Sequence, residues 1–174
     1  MANQFTYQVL KDTTEHAVIK LTGRFDGSGQ EDNPNRISAN TLYGALNANT
    51  VPGLLSAGGS ALPFYNLNIQ RLWFDTTNAA TSDVDLYWNA NPTISSFLLS
   101  GTFEYGGQGN WCVVPNHTKG TTGCNGDLGI RTRGMVANSS YTLIVELRKD
   151  NAYYQRGQFN DPAAFNYPPY GVTP

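Results

Sequence analysis

The stretch HAVIKLTGRF, residues 16–25, decides the fold class of this chain. Apolar and polar side chains alternate along it with a period of two, which is typical of a β-strand with one buried and one exposed face. The positions expected to face the core are Ala17, Ile19, Leu21, Gly23 and Phe25. The stretch therefore predicts a half-buried strand.

A second alternating stretch, FTYQVLK at residues 5–11, comes just before it. The four residues between the two stretches, DTTE, have the composition of a turn. Two strands joined in this way predict a β-hairpin.

Six later stretches also read as strands, separated by turns rich in Gly, Asn and Thr. They are FYNLNIQRLWFD (64–75), DVDLYWNA (83–90), ISSFLLSGTFEY (94–105), NWCVVP (110–115), DLGIRTRGM (127–135) and SYTLIVELRK (140–149). About eight strands at this spacing predict an all-β protein, an antiparallel β-sandwich or jelly roll occupying residues 1–150.

Two intervening segments are interpreted differently. The acidic, Gly-rich DGSGQEDNPN, residues 26–35, predicts a loop. The segment NTLYGALNA, residues 40–48, fits a short helix or a strand equally well.

Composition agrees with a single β domain. Charged residues are 14% of the 174, aromatic residues 12%, and the chain has 18 Gly and 9 Pro. The net charge of −2, with no basic run, argues against direct nucleic-acid binding. Because the sequence shows neither a secretory leader nor an apolar run long enough to span a bilayer, we expect a soluble protein synthesised in the cytoplasm and no membrane partner.

The segment Asn151–Pro174 combines many aromatic rings with prolines at 162, 168, 169 and 174 and little charge. Prolines favour extended conformations, which lowers the entropy lost when such a segment binds a surface. We therefore expect an extended arm that docks either on its own sandwich or on a neighbouring subunit. The predicted partner-binding residues are Tyr153, Tyr154, Arg156, Phe159, Phe165, Tyr167 and Tyr170.

Cys112 and Cys124 flank a loop rich in Gly, Asn, Thr and Pro, so both a disulfide and two separate thiols are open. His117 alone between them does not complete a tetrahedral zinc site. We expect no metal and no other cofactor.

Catalytic groups are not recognisable in the sequence. His16 and His117 lie in contexts that favour surface imidazoles. The acidic residues at 26, 31 and 32 do not have the spacing of a calcium loop and predict a solvated turn. The expectation is a protein that is not an enzyme.

Carbohydrate binding is the main alternative to a structural role, because exposed Trp rings can stack on sugars. The candidates are Trp73, Trp88 and Trp111. Trp73 and Trp88 alternate with polar residues on the apolar side of their stretches, which predicts core positions. Asp83 and Asp85 are expected on the solvent face of the same strand as Trp88.

Five segments taken together resemble a family of small virion structural proteins encoded by tailed bacteriophages of marine bacteria, cyanophages among them. They are YQVLKDTTEHAVIKLTG, RISANTLYGAL, RLWFDTT, VDLYWNA and NSSYTLIVELRKDNAYYQRGQFNDPAAFNYPPYGVTP. The most specific part is LRKDN followed by YYQRGQFNDPAAFNY.

The resemblance implies a non-catalytic protein of the virion. The favoured place is the capsid surface, as a decoration or cement protein that forms homo-oligomers and binds the major capsid protein or other virion proteins. A neck or tail component is the alternative, and a carbohydrate-binding adhesion module is a further one.

Overall fold

The computed structural model describes residues 2–45, 67–77, 80–106, 113–118 and 122–149. Nine strands form within these ranges, with a 3-10 turn at Ala39–Thr41 and no α-helix. The strands are β1 (Gln4–Asp12), β2 (His16–Arg24), β3 (Asp32–Ile37), β4 (Leu67–Thr76), β5 (Asp83–Trp88), β6 (Ile94–Leu99), β7 (Phe103–Gly106), β8 (Leu128–Arg133) and β9 (Ser140–Lys149). The prediction of an all-β fold is confirmed.

The strands form two antiparallel sheets. The first has the order β1-β2-β9-β4-β7 and the second the order β3-β8-β5-β6. Outside β1 the pairings are nested: β2 pairs with β9, β3 with β8, β4 with β7 and β5 with β6. The β1-β2 hairpin predicted from the sequence is present.

The core lies between the two sheets and is built from the alternating positions of their central strands. All five residues predicted to face the core from residues 16–25 do so; Ala17, Ile19 and Leu21 are completely buried. Representative buried side chains are Leu143 and Val145 of the first sheet, and Leu86, Trp88, Leu128 and Ile130 of the second.

A glycine in each sheet lies beneath a tyrosine of the neighbouring strand. Gly23 is the cross-strand partner of Tyr141, and a Cβ at Gly23 would lie 2.3 Å from that ring. Gly129 is the partner of Tyr87, and a Cβ there would lie 2.4 Å from the Tyr87 ring. The two glycines therefore provide the space that these rings occupy.

Trp73 is not in the core, contrary to the sequence-based prediction. A β-bulge between Ile69 and Arg71 shifts the register of β4 against β9. Beyond the bulge the buried positions become Leu72 and Phe74, so Trp73 falls on the outer face. The prediction for Trp88 is confirmed, since its side chain is completely buried.

Other predictions are also corrected. Asp85 is buried, not on a solvent face, and its carboxylate accepts a hydrogen bond from Ser95 at 2.5 Å. The predicted loop at 26–35 contains the start of β3. The stretch at 94–105 forms two strands in different sheets, β6 and β7, separated by a turn at Gly101 with φ of 69°.

Two more predicted elements are met only in part. In NWCVVP, residues 110–112 lie outside the described ranges, and Val114 forms an isolated bridge to Ile69. In NTLYGALNA, Ala39–Thr41 is a 3-10 turn that enters the segment, and residues 46–48 lie outside the described ranges.

Candidate interaction surface

The strand β1 differs from the other edge strands of the two sheets. It is nine residues long, contains no proline, and has β2 as its paired strand in the described part of the chain, with one register shift between Val9 and Lys11. By contrast, β7 has four residues, β6 has six and an irregular register against β5, and β3 carries Pro34 and an irregular register. Short length, proline and irregularity are ways in which proteins protect sheet edges from further pairing. Among these edges, β1 has the most backbone suited to pairing with another strand.

Both faces of β1 are exposed, and one of them is apolar. Phe5, Tyr7 and Val9 pair across the hairpin with Gly23, Leu21 and Ile19, which face the core. Direct cross-strand partners share a face of the sheet. These three side chains therefore lie on the core side of the first sheet, yet they remain 38%, 41% and 45% exposed. We call Phe5, Tyr7 and Val9 the β1 strip.

The second sheet reaches the β1 strip at Phe5. The Phe5 ring packs edge-on against Phe25 at 5.6 Å, and the Arg36 guanidinium lies 5.7 Å from the Phe5 ring centre. Arg36 also donates a hydrogen bond to the backbone oxygen of Thr6 at 2.8 Å. One end of β1 is thereby held in place, while Tyr7 and Val9 stay accessible.

Partial burial already affects Tyr7. Its pKa is raised, first by desolvation and second by the negative charge of Asp12. The phenol is therefore neutral across the physiological pH range, which suits a side chain in an apolar contact.

The far end of β1 is tied to the end of β9 by a buried lysine. The side chain of Lys149 is completely buried and forms an ion pair with Asp12. Its ammonium group also donates to the backbone oxygens of Thr13 at 2.6 Å and Tyr43 at 2.8 Å. Burial lowers the Lys149 pKa, and Asp12 opposes that shift. The chain therefore leaves β9 at a fixed point beside the end of β1.

The residues predicted to bind a partner cannot be located in this geometry. Tyr153, Tyr154, Arg156, Phe159, Phe165, Tyr167 and Tyr170 all lie outside the described residues, as do Trp111 and Cys112. Cys124 is half-buried. The arm at 151–174, its partner-binding role and the disulfide therefore stay predictions.

Glu31, which the sequence predicted to lie in a solvated turn, is instead buried and connects the two sheets. Glu31 is 5% exposed, accepts a hydrogen bond from the Tyr141 hydroxyl at 2.5 Å and forms an ion pair with Arg36 at 3.1 Å. Burial raises the Glu31 pKa above its usual value, although Tyr141 and Arg36 oppose the shift. The pKa of Tyr141 is also raised, first by burial and then by Glu31.

Asp32 is exposed, as predicted, and binds side chains of β5 and β8 within its own sheet. Its carboxylate accepts hydrogen bonds from Tyr87 at 2.9 Å and Arg131 at 3.2 Å, and the Arg131 guanidinium lies 5.0 Å from the Tyr87 ring centre. Burial and Asp32 raise the Tyr87 pKa to about 12. The two carboxylates therefore hold the start of β3 against Tyr141 and Tyr87. Gly23 and Gly129, which lie opposite these tyrosines, are the sequence signal that could have indicated the position of the two rings.

No cluster of three or more His, Cys, Asp or Glu side chains that could hold a metal ion occurs in the described residues. A helix long and apolar enough to cross a membrane is likewise not found in those ranges. His16 lies beside Glu146, 3.6 Å from it, and His117 is exposed, so the two imidazoles occupy separate positions.

The chain was compared with family models, curated proteins and solved structures, and nothing in any of the three matches it. Functional inference therefore rests on the geometry of the β1 strip and on the sequence.

Proposed function

We propose that the chain is a non-catalytic structural protein of a phage virion, which binds neighbouring proteins through β1. The observation that carries the proposal is a long edge strand, free of proline, whose core-side face presents Phe5, Tyr7 and Val9 to solvent. Exposed edges with an apolar face favour pairing with another chain. In an assembled particle, such an edge can pair with a strand of a neighbouring protein.

We infer that the sandwich is a jelly roll with β1 as an added strand. The nested pairs β2-β9, β3-β8, β4-β7 and β5-β6 support this, because they follow when one long hairpin is wound into two facing sheets. Jelly rolls are common in viral capsid proteins and in lectins. The fold is therefore compatible with a virion role without establishing it.

Binding at β1 would combine two kinds of contact. A partner strand would hydrogen-bond to the backbone of the β1 edge, which has no second paired strand within the described residues, and its side chains would cover the β1 strip. Covering the exposed parts of these three side chains contributes about 1 kcal/mol each at ordinary burial energies. Such weak contacts become strong when many copies bind a symmetric shell.

The arm, residues 151–174, supplies the second proposed contact. The Lys149 anchor fixes where the chain leaves β9, next to Asp12 at the end of β1. Lys149 is the last described residue before the arm, and the proposal is that the seven predicted partner-binding residues engage the same neighbour that covers β1. The proposed partners are further copies of this chain and the major capsid protein or another virion protein.

Decoration of the capsid surface is the favoured place, and a neck or tail position is the alternative. A subunit that binds the assembled shell but not free capsid protein shifts the equilibrium toward the intact particle. A sandwich with β1 as an exposed edge suits this task, since contacts between copies through β1 can hold neighbouring capsid subunits together.

The test is incorporation of tagged variants into particles, measured by quantitative mass spectrometry of purified virions. We expect Tyr7→Lys and deletion of residues 151–174 each to reduce incorporation at least tenfold. Gln8→Lys is the matched control, because it places the same charge on the opposite face of β1. Equal incorporation of Tyr7→Lys, the deletion and the unmodified chain would overturn the proposal.

A further inference from the structure

Trp73 occupies an outer-face position that the β4 bulge creates. Its direct cross-strand neighbours are Ile144 on β9 and Glu104 on β7. The indole Nε1 donates a hydrogen bond to the Glu104 carboxylate at 3.1 Å. Cross-strand packing and this bond hold the ring in one orientation, so a ligand would meet a pre-organised surface.

A shallow groove of about 240 Å³ lies beside the ring. Its apolar lining residues are Trp73, Phe74, Phe103 and Ile144, and its polar groups come from Asp75, Thr102, Glu104 and Thr142. The Thr102 hydroxyl donates to Asp75 at 2.7 Å, which fixes that carboxylate at the rim. An aromatic floor with a few oriented oxygen acceptors is the usual composition of a small-ligand site.

We propose that this groove binds a neutral pyranose unit of a glycan. One face of such a sugar consists of C–H groups and can pack on the indole ring, while its hydroxyls are donors that the carboxylates of Asp75 and Glu104 accept. Asp75 lies two residues from Trp73 on β4 and Glu104 lies across from it on β7, so the two carboxylates would repel a uronic or sulfated sugar. The inference is independent of the virion role, since it concerns a different face from the β1 strip.

The geometry favours a sugar over a protein partner. On the outer face of the sheet the groove presents one large ring and one aliphatic side chain among hydroxyl and carboxylate groups, because Phe74 is buried in the core and Phe103 is its cross-strand partner on the core-side face. Protein interfaces instead have a central cluster of apolar anchors and few acidic residues. The groove fits a sugar better, because the Trp73 ring can pack on its C–H groups and the neighbouring carboxylates can accept hydrogen bonds from its hydroxyls.

The experiment is a titration of the full-length ¹⁵N-labelled protein with neutral cellohexaose, laminarihexaose and chitohexaose, followed by the Trp73 indole N–H resonance. At least one oligosaccharide is expected to shift this resonance at about 5 mM. Trp73→Ala, in which binding is followed by the backbone amides of Thr142 and Ile144 because the indole is gone, should weaken binding of that oligosaccharide about tenfold, as loss of one stacking contact predicts. An alginate hexamer should cause no shift.

Two further variants complete the test. Asp75→Ala removes one carboxylate while leaving the indole in place, and it should also weaken binding. Tyr43→Ala is the control, because it removes an exposed ring far along the chain from the groove. Failure of all three neutral sugars to shift the resonance, equal binding by alginate, or unchanged binding by both Trp73→Ala and Asp75→Ala would each overturn the proposal.

Discussion

The strands β1 and β9 belong to the same sheet, but the apolar residues of β9 are buried whereas those of β1 are exposed. In β9 every second residue is buried, and both edges are hydrogen-bonded, to β2 and to β4. In β1 the same alternation leaves Phe5, Tyr7 and Val9 exposed, and within the described ranges Arg36 of the second sheet contacts β1 at Phe5 and Thr6. An alternating pattern therefore predicts a strand with an apolar face, but it does not tell whether the same chain or another protein buries that face.

The largest expected effect is a difference in the free energy of unfolding that is lost when an apolar side chain of β9 or of β1 is truncated. Leu143 in β9 is completely buried, so Leu143→Ala should lower the free energy of unfolding by about 2–5 kcal/mol. Val9→Ala in β1 should lower it by less than about 1 kcal/mol in the isolated protein, since Val9 is already 45% exposed. Urea denaturation of both variants measures the difference. Similar losses at the two positions would show that β1 is part of the core.

A smaller effect tests how β2 and β9 fit together. Gly23→Ala should destabilise the protein by about 1–3 kcal/mol, because the new Cβ would overlap the Tyr141 ring. Gly29→Ala is the matched control, since nothing lies within 4 Å of a Cβ at that position. Thermal denaturation of the two variants compares them directly. A Gly23→Ala protein as stable as the control would contradict the described position of Tyr141.

The smallest expected effect concerns pH and the attachment of β3. Burial raises the Glu31 pKa, so the folded state holds this proton more tightly than the unfolded state does. The stability that Glu31 contributes is then fully present below its usual value of 4.5 and is lost as the pH rises through the folded-state pKa. Relative to Glu31→Gln, the unmodified protein should become less stable between pH 4 and pH 7.

Urea denaturation at several pH values measures that difference. A difference that stays constant or grows in favour of the unmodified protein as the pH rises would contradict the assignment. In that case the ion pair with Arg36 and the hydrogen bond from Tyr141 would outweigh burial.

Much of the fold was predictable where local pattern and tertiary packing agree. The strands β2 and β9 alternate without interruption, and their buried residues are those that the period of two selects. The pattern failed at β4, because a bulge reverses the faces and leaves no mark in the alternation of residue types. Trp73 was misplaced for this reason.

At residues 31–35 the composition predicted a loop, but β3 begins there at Asp32. Asn and Pro favour loops locally, but Glu31 and Asp32 bind tyrosines and arginines from elements far away in the sequence. Such contacts are decided by the fold and cannot be read from neighbouring residues. The β1 strip was likewise predictable as part of a strand, whereas its exposure depends on where the second sheet ends.

Hydrogen–deuterium exchange at β1 tests the central claim most directly. The amides of residues 4–12 would be compared between the isolated full-length protein and the same protein in its assembled particle. The account predicts at least tenfold slower exchange along β1 after assembly, with β9 equally slow in both states, because a partner strand would pair with the β1 edge. Exchange along β1 that is as fast in the particle as in the isolated protein would contradict it.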